Sequence, residues 1–467
     1  MKKFIQKLIP AFLLSWYHFC LAYLGAFIYG FPSKKMVVIG VTGTKGKTTT
    51  CNLIAKILNK CGYKTGMAST VNFRIGELEW INETKQTMLG RFQLQKLLKQ
   101  MVQAGCKYAV VETSSEGILQ YRHRFIDYQI AVFTNLSPEH IERHGSFEKY
   151  RAEKLKLFEA VARKENGIGI YNLDDENVGY FLQIPVKRRI GYGAGKFFDV
   201  IVGNLVKRDS EAISRNRHEI AALPADWRVA HNDEVEEYKI FNIKTYPNKT
   251  EFDFNGEKLE MSLIGEFNVY NAGAAICVAL SQNIPMEKIQ KALAEAKPAP
   301  GRMEIIDVGQ NFTAVVDYSY ELVSFENALK TMKIFNPNKI ITVVGPTGGG
   351  RDKWRRPKMG EIADKYADIV FITTDDPYDE NPEKIIDEVL AGALKNENRV
   401  LGKNIFRIIE RREAIKKAVE LAQAGDVILF AGKGGEKWMN IAGNKKIPWD
   451  ESEIVREEIK NLTDIKG

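Results

Sequence analysis

Apolar positions in this chain switch between two periods. Residues 36–41 are an apolar, β-rich run ending in Gly-containing turn residues, and residues 48–58 then carry apolar side chains at helical spacing. That order predicts a strand, a loop and a helix. Residues 108–112 and 130–133 read as further strands that follow helical stretches such as 92–104, so a mostly parallel sheet covered by helices is expected. Residues 208–236 are polar and weakly periodic, which predicts an insertion or irregular loop before short strands between 238 and 263. Pro298, Pro300 and Gly301 break the helical pattern and mark a domain boundary. Beyond it, residues 314–317, 340–345, 369–373 and 427–431 read as buried strands with helices between them, a second, Rossmann-like α/β domain.

The amino terminus follows neither period. Residues 10–31 hold no Lys, Arg, Asp or Glu and are rich in Leu, Phe, Tyr and Ala. A helix of roughly 20 apolar residues is just long enough to span a bilayer. Lys2, Lys3 and Lys7 precede the run and Lys34 and Lys35 follow it, so positive charge selects no orientation, and no small-residue cleavage signature follows. The segment is expected to be an apolar helix that enters or lies on a membrane, or is buried on a partner. The chain therefore parses into 1–35, 36–299 and 300–467.

Composition changes this picture little. A chain of 467 residues, 45% hydrophobic and 27% charged, is globular and too long for one core. Lys and Arg number 67 against 59 for Asp and Glu, without a long basic run, which suits phosphorylated substrates or an anionic membrane as well as a plain solvated surface; nucleic acid is not an expected partner. The cysteines, Cys20, Cys51, Cys61, Cys106 and Cys277, form no C-x-x-C pair. That argues against zinc and against a disulfide framework, and fits a reducing cytosol.

Candidate chemistry begins where the first strand ends. Thr42-Gly43-Thr44-Lys45-Gly46-Lys47-Thr48-Thr49 opens a helix, the setting in which backbone N–H groups and a helix N-terminus cradle phosphates. The strict spacing would place Gly at position 41, where Val41 stands, so this is a variant phosphate loop. In it Lys47 is placed to reach the β and γ phosphates and Thr48 to bind magnesium. Glu112, at the carboxyl end of a strand, offers a second hard oxygen ligand.

With these residues the chain resembles the Mur ligases, whose central domain carries a T-G-T-x-G-K-T loop. Glu112-Thr113-Ser114-Ser115-Glu116 is similar to the family's E-V-S-S-H, and Phe133-Thr134-Asn135-Leu136 with His140 and His144 to its F-T-N-L-x-x-D-H-x-x-x-H-G. Residues 150–158 are similar to Y-x-x-A-K-x-x-L-F, and residues 265–271 and 301–304 resemble further signatures. In the last domain Val316-Asp317-Tyr318, residues 350–360 and Gly432-Lys433-Gly434-Gly435-Glu436 resemble the tripeptide-synthetase branch, with Asp375-Asp376-Pro377-Tyr378 in the place of its D-N-P-R.

The resemblance implies an ATP-dependent ligase that activates a carboxylate of a peptidoglycan precursor as an acyl phosphate and joins it to an amino acid. It implies two magnesium ions, held by Thr48, Glu112, His140 and a carbamylated Lys154. ATP would be bound by Gly43, Thr44, Lys45, Gly46, Lys47, Thr48, Thr49, Asn268, Asn271, Arg302 and Asp317, with closure of the domains before chemistry. Ser114, Arg122, Asp375, Asp376 and Glu436 would face the substrates. Lysine 154 by itself reads as a solvated lysine, and Asn268 and Asn271 by themselves as helix caps.

The pattern also departs from the family. The phosphate loop starts after about forty residues, so the usual uridine-diphosphate-binding domain is expected to be absent, with the apolar segment in its place. Catalytic domains in the cytoplasm, anchored at the inner face of the membrane, are the matching expectation. Tyr378 stands where the branch has the Arg that grips the distal carboxylate of diaminopimelate, which favours lysine or ornithine. Thr87-Met88-Leu89 replaces T-T-P, and Glu116, Gly435 and Tyr320 replace histidines. A ligase or amidotransferase subunit acting on a lipid-linked precursor, a folate-type polyglutamate ligase and a non-catalytic nucleotide-binding scaffold are the competing expectations.

Overall fold

The computed structural model describes residues 11–84, 86–138, 144–195, 235–350, 353–395, 398–443 and 445–466. Most of the anticipated insertion, residues 208–234, lies outside them. The chain divides into two compact units, one formed mainly by residues up to Ala296 and one mainly by Lys297–Gly467.

The first unit contains, in chain order, α1 (Ala11–Ile28), β1 (Val37–Thr42), α2 (Lys47–Lys60), β2 (Thr65–Ala68), β3 (Asn72–Ile75), β4 (Leu78–Ile81), α3 (Arg91–Gln103), β5 (Tyr108–Glu112), α4 (Ser115–Leu119), β6 (Tyr128–Phe133), α5 (Phe147–Ala162), β7 (Ile168–Asn172), α6 (Val178–Leu182), β8 (Arg188–Gly193), β9 (Val235–Thr245), β10 (Thr250–Phe254), β11 (Glu257–Met261), α7 (Glu266–Ser281) and α8 (Met286–Ala294). Among the described residues the strands form one sheet, β11-β10-β9-β8-β7-β6-β1-β5-β2-β3-β4. From β9 through β2 the neighbours are parallel, and β2, β3 and β4 pair antiparallel. Strand β1 is central and buried because helices cover both faces, which is why its sequence is a continuous apolar run rather than an alternating one. Gly40 sits in that strand because a Cβ there would come within 2.7 Å of Leu157 and 2.9 Å of Tyr128. Register pairs Val41 with Glu112 and Thr42 with Phe133, so the loops after β1, β5 and β6 leave the sheet side by side.

Helix α1 forms as an apolar helix, and among the described residues no helix is long and apolar enough to cross a membrane. Helix α1 docks along one side of the first unit. Ser15 Oγ lies 2.7 Å from Tyr121 Oη, and Phe19 and Tyr23 meet the edge of Phe125. A Cβ on Gly25 would stand 3.4 Å from the Arg91 carbonyl, so the small residue permits the close approach of α3.

The second unit contains β12 (Glu304–Ile306), β13 (Thr313–Asp317), α9 (Leu322–Met332), β14 (Ile340–Val344), α10 (Arg355–Tyr366), β15 (Ile369–Ile372), α11 (Pro382–Ala393), β16 (Ile405–Arg407), α12 (Arg411–Leu421), β17 (Val427–Ala431), β18 (Trp438–Ile441), β19 (Lys445–Pro448) and α13 (Glu451–Lys466). Its main sheet runs β12-β13-β17-β14-β15-β16, parallel except for β12. Asp317, Ala431 and Val344 share one register line, so the carboxyl ends of three central strands open together, where α/β sheets place ligands.

Candidate active site

The loop between β1 and α2 is shaped by two glycines. Gly46 has φ +80°, the left-handed region, and a Cβ there would fall 2.2 Å from Asn271 Oδ1. Gly43 is equally confined, since its Cβ would strike Thr134 Oγ1 at 2.0 Å. The next strand's loop holds this turn in place: Asn135 accepts from the Thr44 and Lys45 amides at 2.8 Å each, and Thr134 Oγ1 donates to the Lys45 carbonyl at 2.6 Å. Asn271, on α7, accepts from Thr50 Oγ1 at 3.3 Å and donates to Asn268 at 3.0 Å. Both asparagines thus lie within the first turns of α7, and Asn271 stands against the loop.

Lys47, the first residue of α2, folds back and donates to the carbonyls of Gly43 at 2.9 Å and Thr44 at 2.8 Å. Thr48 Oγ1 donates to Glu112 Oε2 at 2.9 Å, and Thr70 donates to both oxygens of the same carboxylate, through its amide at 2.7 Å and its hydroxyl at 2.8 Å. A hydroxyl and a carboxylate this close at the carboxyl ends of parallel strands fit the hard oxygen ligation of magnesium. Lys154, on α5, is 1% exposed, so it is not the solvated lysine that its helix pattern suggests. Its ammonium donates to the Gly43 carbonyl at 2.6 Å and sits 4.6 Å from the Tyr150 ring centre. Lysines 47 and 154 therefore converge on one carbonyl of the β1–α2 loop.

In the second unit a buried charge cluster lies beyond β15 and β17. Lys433 Nζ, wholly buried, donates to Asp376 Oδ1 and to Glu436 Oε2 at 2.8 Å each and to the Trp438 carbonyl at 2.9 Å, and stands 3.4 Å from Asp375. Asp376 also accepts from the Asn440 amide at 2.8 Å and side chain at 2.6 Å, and Glu436 from Tyr318 Oη at 3.0 Å. Burial pushes the Asp375 carboxyl up to about 6 against the pull of Lys433, while Lys433, although buried, is held in its charged form by the carboxylates. Asp375, Asp376 and Glu436 are the one group of metal-ligand type among the described residues, but the Lys433 ammonium bridges them. Arg411, also buried, is matched by Glu451. Tyr378 follows in the left-handed region, at φ +52°, packed where a Gly349 Cβ would be 2.7 Å from its ring.

Asp317, at the end of β13, accepts from the Met303 amide at 2.7 Å, and burial raises its carboxyl while Arg302 opposes the rise. Arg302 stacks 4.5 Å from the Tyr318 ring centre and its Nε, though buried, has no hydrogen-bond partner among the described residues.

Comparison with known proteins shows what the chain is similar to. A Mur ligase middle domain model matches residues 41–221, and a Mur ligase, glutamate ligase domain model matches residues 301–434. A UDP-N-acetylmuramoyl-L-alanyl-D-glutamate--2,6-diaminopimelate ligase of Geobacillus kaustophilus is 34% identical over 97% of this chain and 84% of its own length. The chain belongs to the Mur ligase family. A UDP-N-acetylmuramyl-tripeptide synthetase of Roseiflexus is likewise 34% identical over 97% of the chain and 84% of its own. Among solved structures, a diaminopimelate ligase of the same name superposes with TM-score 0.58 at 28% identity, covering 92% of this chain and 79% of the other. MurF of Thermotoga maritima, in complex with ADP, shares the fold at TM-score 0.62 and 17% identity, covering 96% and 85%. This Mur ligase is thus an ATP-dependent ligase.

The remaining anticipated residues of the ligase fall in different places. Ser114 caps α4, accepting from the Gly117 amide at 3.1 Å, so its hydroxyl has a structural task. Arg122 donates to Gln86 at 2.9 Å and Gln120 at 2.8 Å and contacts the Met88 carbonyl, which ties it to the segment that replaces T-T-P. Thr49 lies in the first turn of α2 beside the loop. His140, Arg351 and Asp352 lie outside the described residues. Sequence reasoning missed Thr70, Asn135 and Lys433 as shaping residues. Lys433 was visible inside its Gly-rich motif, whereas nothing local marks Thr70, which reaches Glu112 only through the pairing of β2 with β5.

Proposed function

We propose that this Mur ligase adds an amino acid bearing a second amino group to a UDP-N-acetylmuramoyl peptide. The observation that carries the donor assignment is the buried cluster: one ammonium, Lys433, among three carboxylates, with Tyr378 where an arginine would be needed to hold a distal carboxylate. A net negative, buried cluster favours a cationic side chain over the second carboxylate of diaminopimelate, although relatives are named for diaminopimelate. Lysine and ornithine are the donors proposed.

In the first step an oxygen of the peptide carboxylate attacks the γ phosphorus of ATP, the bond to the β–γ bridging oxygen breaks, and ADP leaves. The amine nitrogen then attacks the acyl carbon, the carbon–oxygen bond to phosphate breaks, and the amine gives up a proton. Thr48 and Glu112 are the residues proposed to hold one magnesium ion, which would supply charge neutralisation for the transfer. Lys47 turns from the loop carbonyls to the β and γ phosphates. Lys154 is proposed to carry a carbamate that, with His140, holds a second ion. Gly43, Thr44, Lys45, Gly46, Asn268 and Asn271 are proposed contacts of ATP. Asp375 and Glu436 are proposed to bind the donor amine, with Asp376 and Lys433 positioning them.

Phosphate release from ATP by the purified chain, with lysine, ornithine or diaminopimelate and with uridine-linked or lipid-linked muramoyl peptides, tests the reading. Release with the uridine-linked peptide and lysine or ornithine is expected. Release with diaminopimelate alone overturns the donor assignment, and a requirement for the lipid-linked peptide overturns the acceptor. Lys47→Ala is expected to lower turnover by on the order of a hundredfold to a thousandfold, as loss of a main charge stabiliser does.

A further inference from the structure

The docked helix α1 has a second face. Leu13, Trp16, Tyr17, Leu24, Phe27 and Ile28 recur at spacings of three, four and seven, so they form one stripe, and each is exposed, Trp16 by 68% and Phe27 by 61%. The opposite side, with Ala22 and Ala26 at 2% and 0%, is the one packed on the protein. A helix that is apolar all round is ordinarily buried all round, yet here half of it is covered and half is not. So large a contiguous apolar surface marks an interaction site.

Charge identifies the occupant. No Asp or Glu occurs before Glu77, and lysines flank the helix: Lys2, Lys3 and Lys7 before it, Lys34 and Lys35 after it, the last two exposed. An apolar, Trp- and Tyr-bearing stripe flanked by lysines without any acidic counterpart matches the interface of an anionic bilayer, where aromatic rings sit at headgroup depth and ammonium groups meet lipid phosphates. Spanning is excluded by the docking, since one side of α1 is already taken by Tyr121, Phe125 and the α3 backbone. Tyr121 and Phe125 both hold φ +60°, a strained conformation for aromatic residues, and both contact α1. The platform is thus fixed rather than incidental. We propose that α1 lies in the plane of an anionic membrane surface and holds the first unit on it, with its stripe among the lipids and Lys34 and Lys35 at the headgroups. The proposal does not depend on which donor or acceptor the ligase uses.

The test is flotation of the full chain with vesicles of phosphatidylcholine alone and of phosphatidylcholine with phosphatidylglycerol. Binding to the anionic vesicles, weakened by salt, is expected. Trp16→Ser with Phe27→Ser, both at exposed positions, and separately Lys34→Glu with Lys35→Glu, are each expected to lower the bound fraction at least about tenfold. ATP binding, measured in parallel, should be unchanged and reports that the variants fold. Absence of flotation, or flotation indifferent to both pairs of substitutions, overturns the proposal. Light scattering that shows a dimer of this chain broken by Trp16→Ser with Phe27→Ser also overturns it, by assigning the stripe to a second copy.

Discussion

Lys433 and Asp375 show how burial sets the behaviour of single residues. Lys433 is unexposed and bonded to carboxylates, so removing its charge leaves those groups uncompensated. Lys433→Met is expected to cost about 3–5 kcal/mol of stability, as breaking a buried ion pair does, measurable by denaturant titration at neutral pH. Asp375 behaves oppositely. Its carboxyl, 3.8 when free, is raised to about 6 in the fold. The folded state therefore prefers the protonated form, and the stability this confers is complete below pH 3.8 and lost as pH rises through about 6. Asp375→Asn should accordingly flatten the pH dependence of stability between these values without destabilising the protein at neutral pH. Donor binding has the reverse sign, because a cationic amine needs the charged carboxylate. The KM for the amine is expected to rise as pH falls below about 6, and a flat profile would remove Asp375 from the donor site.

At the scale of elements, the chain's glycines decide which loops approach each other. Gly301 has φ +64°, and a Cβ there would lie 1.8 Å from the Gly435 amide nitrogen. The Gly-Arg-Met-Glu segment and the Gly-rich loop after β17 are thus packed backbone to backbone, which explains why both are glycine-bearing. Gly301→Ala is expected to destabilise the second unit by more than about 1 kcal/mol, the usual scale of such backbone strain, with a lower thermal midpoint as the readout. The element pattern was well marked in sequence where strands are central: residues 108–112 and 427–431 form β5 and β17 with the anticipated bounds. It was poorly marked at the sheet edge. Strands β2, β3 and β4 are four residues each, and β2 carries Gly66 because a Cβ would meet Met101 at 2.4 Å, so neither alternation nor apolar continuity announces them. Helix α1 was foreseen as apolar, but not that one face would rest on protein.

For the whole molecule, the chain divides into two compact units, the second formed mainly by Lys297–Gly467. The second has its own six-stranded sheet and a buried cluster that includes Val316, Phe371, Ile415, Ile428 and Val455. Residues 297–467 produced alone are expected to unfold cooperatively on heating. A non-cooperative transition would show that this core is incomplete by itself.

Sequence alone determined the alternation of strands and helices, the glycine-bearing loop between β1 and α2 and the membership of the Mur ligases, because these rest on local period, on glycine's conformational freedom and on side-chain chemistry at fixed spacing. Only the tertiary structure decided that Lys154 is buried against the loop, that Thr70 shares Glu112 with Thr48, that Ser114 caps a helix, and that Lys433 neutralises the acidic cluster. Each of these depends on residues brought together by strand pairing or helix packing across stretches of chain that no local pattern connects.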